Sequence, residues 1–137
     1  MPDSMEGGCQ CGAIRYRVNG TPKATIACHC TQCQKQSGSA FGMSMIVLRE
    51  SFELLSGELE RFSRPADSGS VVECAFCPGC GTRIYHQPAK LTETLNVKPG
   101  TLDDTAWLKP ALQVWVKHKQ PWVALPEGAR CFEENPG

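Results

Sequence analysis

The sequence predicts a mainly β protein organised as one domain. Three features lead there. Apolar and polar residues alternate with period two over most segments. Thirteen glycines and ten prolines interrupt the chain at the short intervals of an all-β domain. Helical patterns are confined to short stretches, and a length of 137 residues suits a single core that buries roughly two-thirds of the unfolded surface.

Taken in order, residues 12–18 place Ile14, Tyr16 and Val18 on one face and Arg15 and Arg17 on the other, the pattern of a half-buried strand. Asn19-Gly20 is a turn signal, and residues 23–27 restart a strand that runs into a cysteine cluster. Residues 31–37 follow as one or two helical turns. Phe41, Met43, Met45 and Val47 alternate with smaller residues as another strand. Residues 52–55 and 58–62 flank Ser56-Gly57, which reads as a hairpin. Residues 64–70 read as a mobile loop. Strands are expected over 70–76, 82–86 and 91–97. A short helix is expected over 102–107, with Asp103-Asp104 as its cap. Leu112, Val114 and Val116 line one face of a late strand, and residues 133–137 form a loose tail.

Composition narrows the function classes. Hydrophobic content of 41% and charged content of 20% are those of an ordinary globular chain. The longest apolar stretch, Met43 to Leu48, falls far short of the ~20 residues that span a bilayer, so no membrane association is expected. Lys+Arg and Asp+Glu balance at 14 each, which leaves no basic footprint for nucleic acid. Residues 1–8 carry neither positive charge nor an apolar run, so no signal peptide is expected.

Seven of the nine cysteines fall into three clusters: Cys9-Gln10-Cys11, Cys28-His29-Cys30-Thr31-Gln32-Cys33 and Cys77-Pro78-Gly79-Cys80. A disulfide framework belongs to small secreted chains and avoids an odd count. A redox Cys-x-x-Cys belongs in a βαβ pattern that this chain lacks. Zn²⁺, by contrast, takes thiolates in pairs from short turns in separate parts of a fold. Period two puts the sulfurs of an extended Cys-x-Cys on one side, and Gly79 and Gly81 supply the dihedrals that a Cys-x-x-Cys turn needs. Seven thiolates divide most simply into a closed site of four and an open site of three. A closed site builds structure, while an open one can do chemistry. Spacing alone leaves another partition open, in which Cys74 completes the second site. A metal joining residue 9 to residue 80 closes a loop of about 70 residues, restricting the unfolded chain strongly enough to anchor the fold. Reduced, zinc-bound thiols imply the cytoplasm.

The stretches Gly7 to Tyr16, Cys28 to Phe41 and Phe76 to Thr82, with Gly100-Thr101-Leu102-Asp103-Asp104 and Gln120-Pro121-Trp122-Val123, resemble the glutathione-dependent formaldehyde-activating enzyme family (the Gfa/CENP-V domain) over nearly the whole chain. The resemblance implies a β-tent of twisted antiparallel sheets. It implies that Cys9, Cys11, Cys77 and Cys80 hold a structural zinc and that Cys28, Cys30 and Cys33 hold a second, catalytic one. It also implies a carbon–sulfur lyase activity, the condensation of glutathione with formaldehyde to S-(hydroxymethyl)glutathione. The chain departs from the family pattern at Gln113, where many relatives carry a histidine. Cys74 and Cys131 match no family ligand.

Three thiolates leave the second site net negative, which favours delivery of a substrate thiolate over polarisation of a carbonyl. Gln34, Lys35 and Ser37 directly follow that site and are candidates for binding glutathione's polar ends. His29, between two ligands, should point away from the metal; His86 and His118 are weaker site candidates, and Trp107, Trp115 and Trp122 read as core or pocket lining. Two readings compete. In the first, the chain is a zinc-dependent enzyme acting on the adduct of glutathione, or another small thiol, with an aldehyde. In the second, it is a non-catalytic module that binds small molecules or proteins and whose zinc is structural. Charge balance counts against chromatin association. The oligomeric state is left open.

Overall fold

The computed structural model describes residues 3–65 and 70–136. Eleven strands and one α-helix follow one another as β1 (Ser4–Gly8), β2 (Arg15–Asn19), β3 (Ala24–Cys28), α1 (Thr31–Ser37), β4 (Gly42–Leu48), β5 (Phe52–Ser56), β6 (Glu60–Pro65), β7 (Val71–Phe76), β8 (Arg83–Pro88), β9 (Thr94–Val97), β10 (Leu112–Val114) and β11 (Arg130–Cys131). The protein is mainly β, as its period-two patterning predicts. It divides into two compact units, Met1–Lys23 with Met45–Trp107, and Ala24–Ser44 with Leu108–Gly137.

In the first unit β1, β2 and β5 form an antiparallel sheet with Met5 opposite Val18 and Tyr16 opposite Leu54. The end of β4 pairs with β9, and β9, β8, β7 and β6 continue antiparallel. The alternation of β2 becomes alternation of burial. Tyr16 and Val18 are sealed from solvent with Ile14, Met45, Val47, Ile84 and Val97, while Arg15 and Arg17 face outward toward Glu6, Glu53 and Asp103. Burial pushes the Tyr16 phenol up to about 12, and its hydroxyl meets that of Thr101 at 2.7 Å.

Several expectations change in this unit. The segments around Ser56-Gly57 are not a hairpin: β5 pairs with β2, and β6 with β7. Phe52 stacks on Tyr16 at 5.2 Å and meets Tyr85 edge-on at 5.3 Å, so aromatic burial against distant strands outweighs the local pairing. Gly57, at φ 85°, turns the chain past Ala13, whose carbonyl oxygen would lie 2.5 Å from any added Cβ. Gly57→Ala is therefore expected to destabilise the protein by about 1–3 kcal/mol, from strain and the contact together. The measurement is the urea midpoint at unchanged slope, and a midpoint equal to wild type would contradict it.

Residues 102–107 are not helical. A 3-10 turn occupies Pro99–Thr101, Leu102 bridges to Gly7, and Asp103 is drawn onto Arg15 at 2.9 Å rather than capping a helix. The strand expected from 91 starts only at Thr94, because Gln87 ties down the carbonyls of Leu91 and Thr94. Of the expected loop 64–70, Arg64 and Pro65 belong to β6, and residues 66–69 lie outside the described residues. β1 had no alternating signal in the sequence. Its Gly7 is required because a Cβ there would meet the Thr101 carbonyl oxygen at 2.5 Å.

In the second unit β10 lies parallel to β3, with Gln113 opposite Ala27 and Val114 opposite Cys28, and parallel to β11. These two parallel pairs are an addition to the antiparallel sheets that the resemblance implies. More than eighty residues separate β3 from β10, ample for the crossover that a parallel pair needs. β10 is also shorter than expected. Trp115 takes φ 56° and starts a 3-10 turn, so Val116 leaves the strand face. Residues 133–136 are not a loose tail, and residue 137 lies outside the described residues: Trp115 Nε1 donates to Asn135 at 3.0 Å, the Trp115 amide donates to the Glu134 carbonyl, and Lys117 pairs with the Glu134 carboxylate. Among the described residues no helix is long and apolar enough to cross a membrane.

Candidate metal centres

The first centre belongs to the first unit. Cys9 and Cys11 lie in the turn after β1, closed by the Gly12 amide on the Cys9 carbonyl at 3.1 Å with Gly12 at φ 84°. Cys77 and Cys80 lie in the turn after β7, closed by the Gly81 amide on the Cys77 carbonyl at 2.8 Å. The two turns bring four sulfurs within 4.8 Å of one another, with Cys9–Cys11 at 3.5 Å and Cys11–Cys77 at 3.8 Å. A tetrahedron with Zn–S bonds of ~2.3 Å has sulfur–sulfur edges of about 3.8 Å, so the donor set and its spacing fit Zn²⁺. Donors are turned onto the sulfurs: the Ile14 amide reaches Cys9 at 3.2 Å, and the Thr82 hydroxyl lies 3.2 Å from Cys80. Hydrogen bonds from the Thr82 hydroxyl and amide hold the Cys80 thiol down to about 5. At Cys11 the Ala13 amide works to lower the thiol, but the neighbouring sulfurs outweigh it and push it up to about 11. Four bare sulfurs at this distance repel once charged, and a divalent cation offsets that repulsion.

The second centre belongs to the second unit. Cys28 ends β3, Cys30 is the N-cap of α1, and Cys33 lies in its first turn. The Cys30 sulfur accepts the Cys33 amide at 3.3 Å, a capping bond made by sulfur in place of the usual oxygen. The three sulfurs lie within 4.8 Å of one another, all half-buried, and among the described residues no fourth Cys, His, Asp or Glu joins them. Cys74 is buried in β7 and Cys131 is exposed in β11, and neither belongs to a cluster. Hydrogen bonds from Cys28 and Cys33, with those from the Cys33 and Gln32 amides, hold the Cys30 thiol far below its ordinary range. Cys28, against the other two sulfurs, is pushed well above it. Gly42 passes close behind, where a Cβ would stand 3.1 Å from Cys33 Cβ.

The residues after this cluster divide in role. Gln34 Nε2 donates to the backbone carbonyls of His29 at 2.8 Å and His118 at 3.0 Å, while its Oε1 accepts from Gln120 Nε2 at 3.2 Å. Ser37 donates to the Cys33 carbonyl at 2.8 Å. Both side chains thus bind the protein itself. The Lys35 side chain makes no hydrogen bond or ion pair among the described residues and lines an open groove of about 520 Å³ with Gln34, Ser39, Ala40, Gln120 and Trp122. His118 stacks on Trp115, and His86 bonds Asn96 at 3.1 Å, so neither faces a cysteine cluster. Sequence reasoning did not find Gln113 and Gln120 as partners of this region. They lie 84 and 86 residues from His29 and Gln34, and nothing in local pattern marks a glutamine for such a contact.

Fold and clusters together define a β protein with one closed four-cysteine centre and one open three-cysteine centre. The chain matches the family model "Glutathione-dependent formaldehyde-activating enzyme" over residues 4–118. It belongs to that family. A Halomonas elongata protein provisionally named for the same enzyme is 24% identical over 145 residues, covering 96% of this chain and 88% of the relative. A Colletotrichum graminicola protein with the same provisional name is 25% identical over 113 residues, covering 79% of this chain and 57% of that longer protein. A crystal structure of a Rhodobacter sphaeroides protein shares the fold at TM-score 0.59 and 20% identity, over 77% of this chain and 92% of the other.

Proposed function

We propose that the chain is a zinc-dependent enzyme of the carbon–sulfur lyase class that joins glutathione, or another small thiol, to formaldehyde in a reducing, cytoplasmic setting. One observation carries the reading. In a member of this family, three sulfurs converge with no fourth Cys, His, Asp or Glu among the described residues, while four others make a closed set. Cys28, Cys30 and Cys33 would hold the zinc, which when bound would favour the thiolate form of an entering thiol.

The chain's own residues provide the rest. α1 presents Cys30 and Cys33 from one turn of backbone, so their sulfurs need no rearrangement to converge. Lys35, two residues after Cys33 and with no side-chain partner among the described residues, is the cation available on the groove to an anionic end of the thiol. In the reaction the substrate sulfur bonds the formaldehyde carbon. The carbonyl π pair moves onto oxygen, and the proton lost by the thiol returns to that oxygen, so no oxidant or reductant is needed.

The test is zinc per chain in reduced protein, by elemental analysis, with and without millimolar glutathione. Two equivalents, one of them lost or remodelled by glutathione, are expected, together with adduct formation from ¹³C-formaldehyde above the spontaneous rate. One equivalent, indifferent to glutathione, would instead favour the structural-zinc binding module.

A further inference from the structure

His29 stands between two ligands of the open centre and is itself tied at its amide, its carbonyl and its ring. Its amide donates to the Val114 carbonyl on β10 at 3.0 Å, and its carbonyl accepts the Gln34 carboxamide of α1 at 2.8 Å. Its ring is fully buried against Phe41 at 5.3 Å, with Nε2 2.8 Å from Gln113 Oε1. Gln113, itself buried, donates its Nε2 to the Pro110 carbonyl at 3.0 Å. That bond turns the carboxamide so that its oxygen faces the imidazole. A carboxamide oxygen only accepts, so His29 Nε2 carries the hydrogen and Nδ1 is a bare acceptor. Nδ1 is buried and has no hydrogen-bond partner among the described residues.

This arrangement is costly for a purely structural role. Two apolar side chains would fill the same space without desolvating two polar groups and stranding a ring nitrogen. What a polar pair adds is direction. Cys28 and Cys30 share one side of the chain only while the backbone at residue 29 keeps its dihedrals. The ring, amide and carbonyl of His29 hold those dihedrals against β10 and α1.

We infer that His29 and Gln113 are positioning residues for the open centre: their buried hydrogen bond, acting from behind the cluster, sets the convergence of the Cys28 and Cys30 sulfurs and so the centre's affinity for a divalent metal. This rests on the reading of Cys28, Cys30 and Cys33 as a metal site. It assigns a role to the glutamine that stands in this chain where many relatives are expected to carry histidine.

Co²⁺ titration of the reduced full-length protein, read by sulfur-to-cobalt charge-transfer absorption, follows both centres at once, and the four-cysteine centre serves as an internal control. Gln113→Leu is expected to weaken the three-cysteine centre about 10- to 100-fold and leave the other unchanged. His29→Leu/Gln113→Leu, with both polar partners removed, is expected to regain thermal stability but not cobalt affinity. His29→Gln, whose Nε2 can still donate to Gln113, is expected to stay within about 3-fold of wild type. Affinity that recovers together with stability in the double variant, or His29→Gln as weak as His29→Leu, overturns the positioning role while leaving the metal site standing. Wild-type protein that takes up one Co²⁺ overturns both.

Discussion

Cys77→Ser is expected to lower the melting temperature by about 15 °C or more, or to prevent folded protein from accumulating, and to remove one zinc per chain. Cys77 is buried in the turn just after β7, and its sulfur lies 3.8 Å from that of Cys11, across 66 residues of sequence. A metal at this cluster therefore ties the turn after β1 to the turn after β7, and the chain between them contributes Ile14, Tyr16, Val18, Met45, Val47 and Ala75 to the first unit's core. Structural zinc sites are worth ~10 kcal/mol or more in small domains, and such sites restrict the unfolded chain strongly when the closed loop is long. Losing one of four ligands should cost more than about 5 kcal/mol, against a total stability of only about 5–15 kcal/mol. Chelation of the wild-type protein should reproduce the loss, and differential scanning calorimetry checks both. A Cys77→Ser melting temperature within about 3 °C of wild type would show that the closed cluster does not anchor the fold.

Cys30→Ser should do the opposite. Cys30 is half-buried in the second unit, contributes nothing to the apolar core of the first, and serine at an N-cap accepts the Cys33 amide at least as well as sulfur does. The melting temperature should stay within a few degrees of wild type. Two sulfurs remain at the open centre, however, too few to retain a metal against millimolar thiol. The second zinc equivalent should disappear, and adduct formation should fall to the spontaneous rate. Because a metal-held thiolate is worth several kcal/mol of rate, the catalysed part should drop roughly a hundredfold or more. Zinc analysis, calorimetry and ¹³C-NMR of the adduct on one preparation separate the effects. Undiminished catalysis with the second zinc gone would rule out the thiolate mechanism.

The contrast between these two substitutions depends on the division of seven cysteines into four and three, which was readable before any coordinates. Cys-x-Cys and Cys-x-x-Cys turns are local objects, and the backbone near each pair dictates that their sulfurs face one way. Spacing could not choose between an open second centre and one completed by Cys74. The structure buries Cys74 in β7, apart from either cluster. Gln34 and Ser37 show a similar limit. Their position after the cluster drew attention to them, but their side chains serve backbone carbonyls, and of the three Lys35 alone lines the groove with a side chain that has no protein partner among the described residues.

What the sequence determined by itself was local. It specified the mainly β class, the strands whose alternation becomes alternation of burial, the extent of α1 and the three short cysteine turns. Each of these follows from the dihedral preferences and side-chain period of a few consecutive residues. Only the tertiary structure decided which strands pair, so that β5 joins β2 instead of β6 and β10 runs parallel to β3. It alone placed Gln113 against His29, 84 residues away. Partner choice over such distances depends on how the whole chain buries its aromatic rings and satisfies its polar groups, a global balance that no short window of sequence contains.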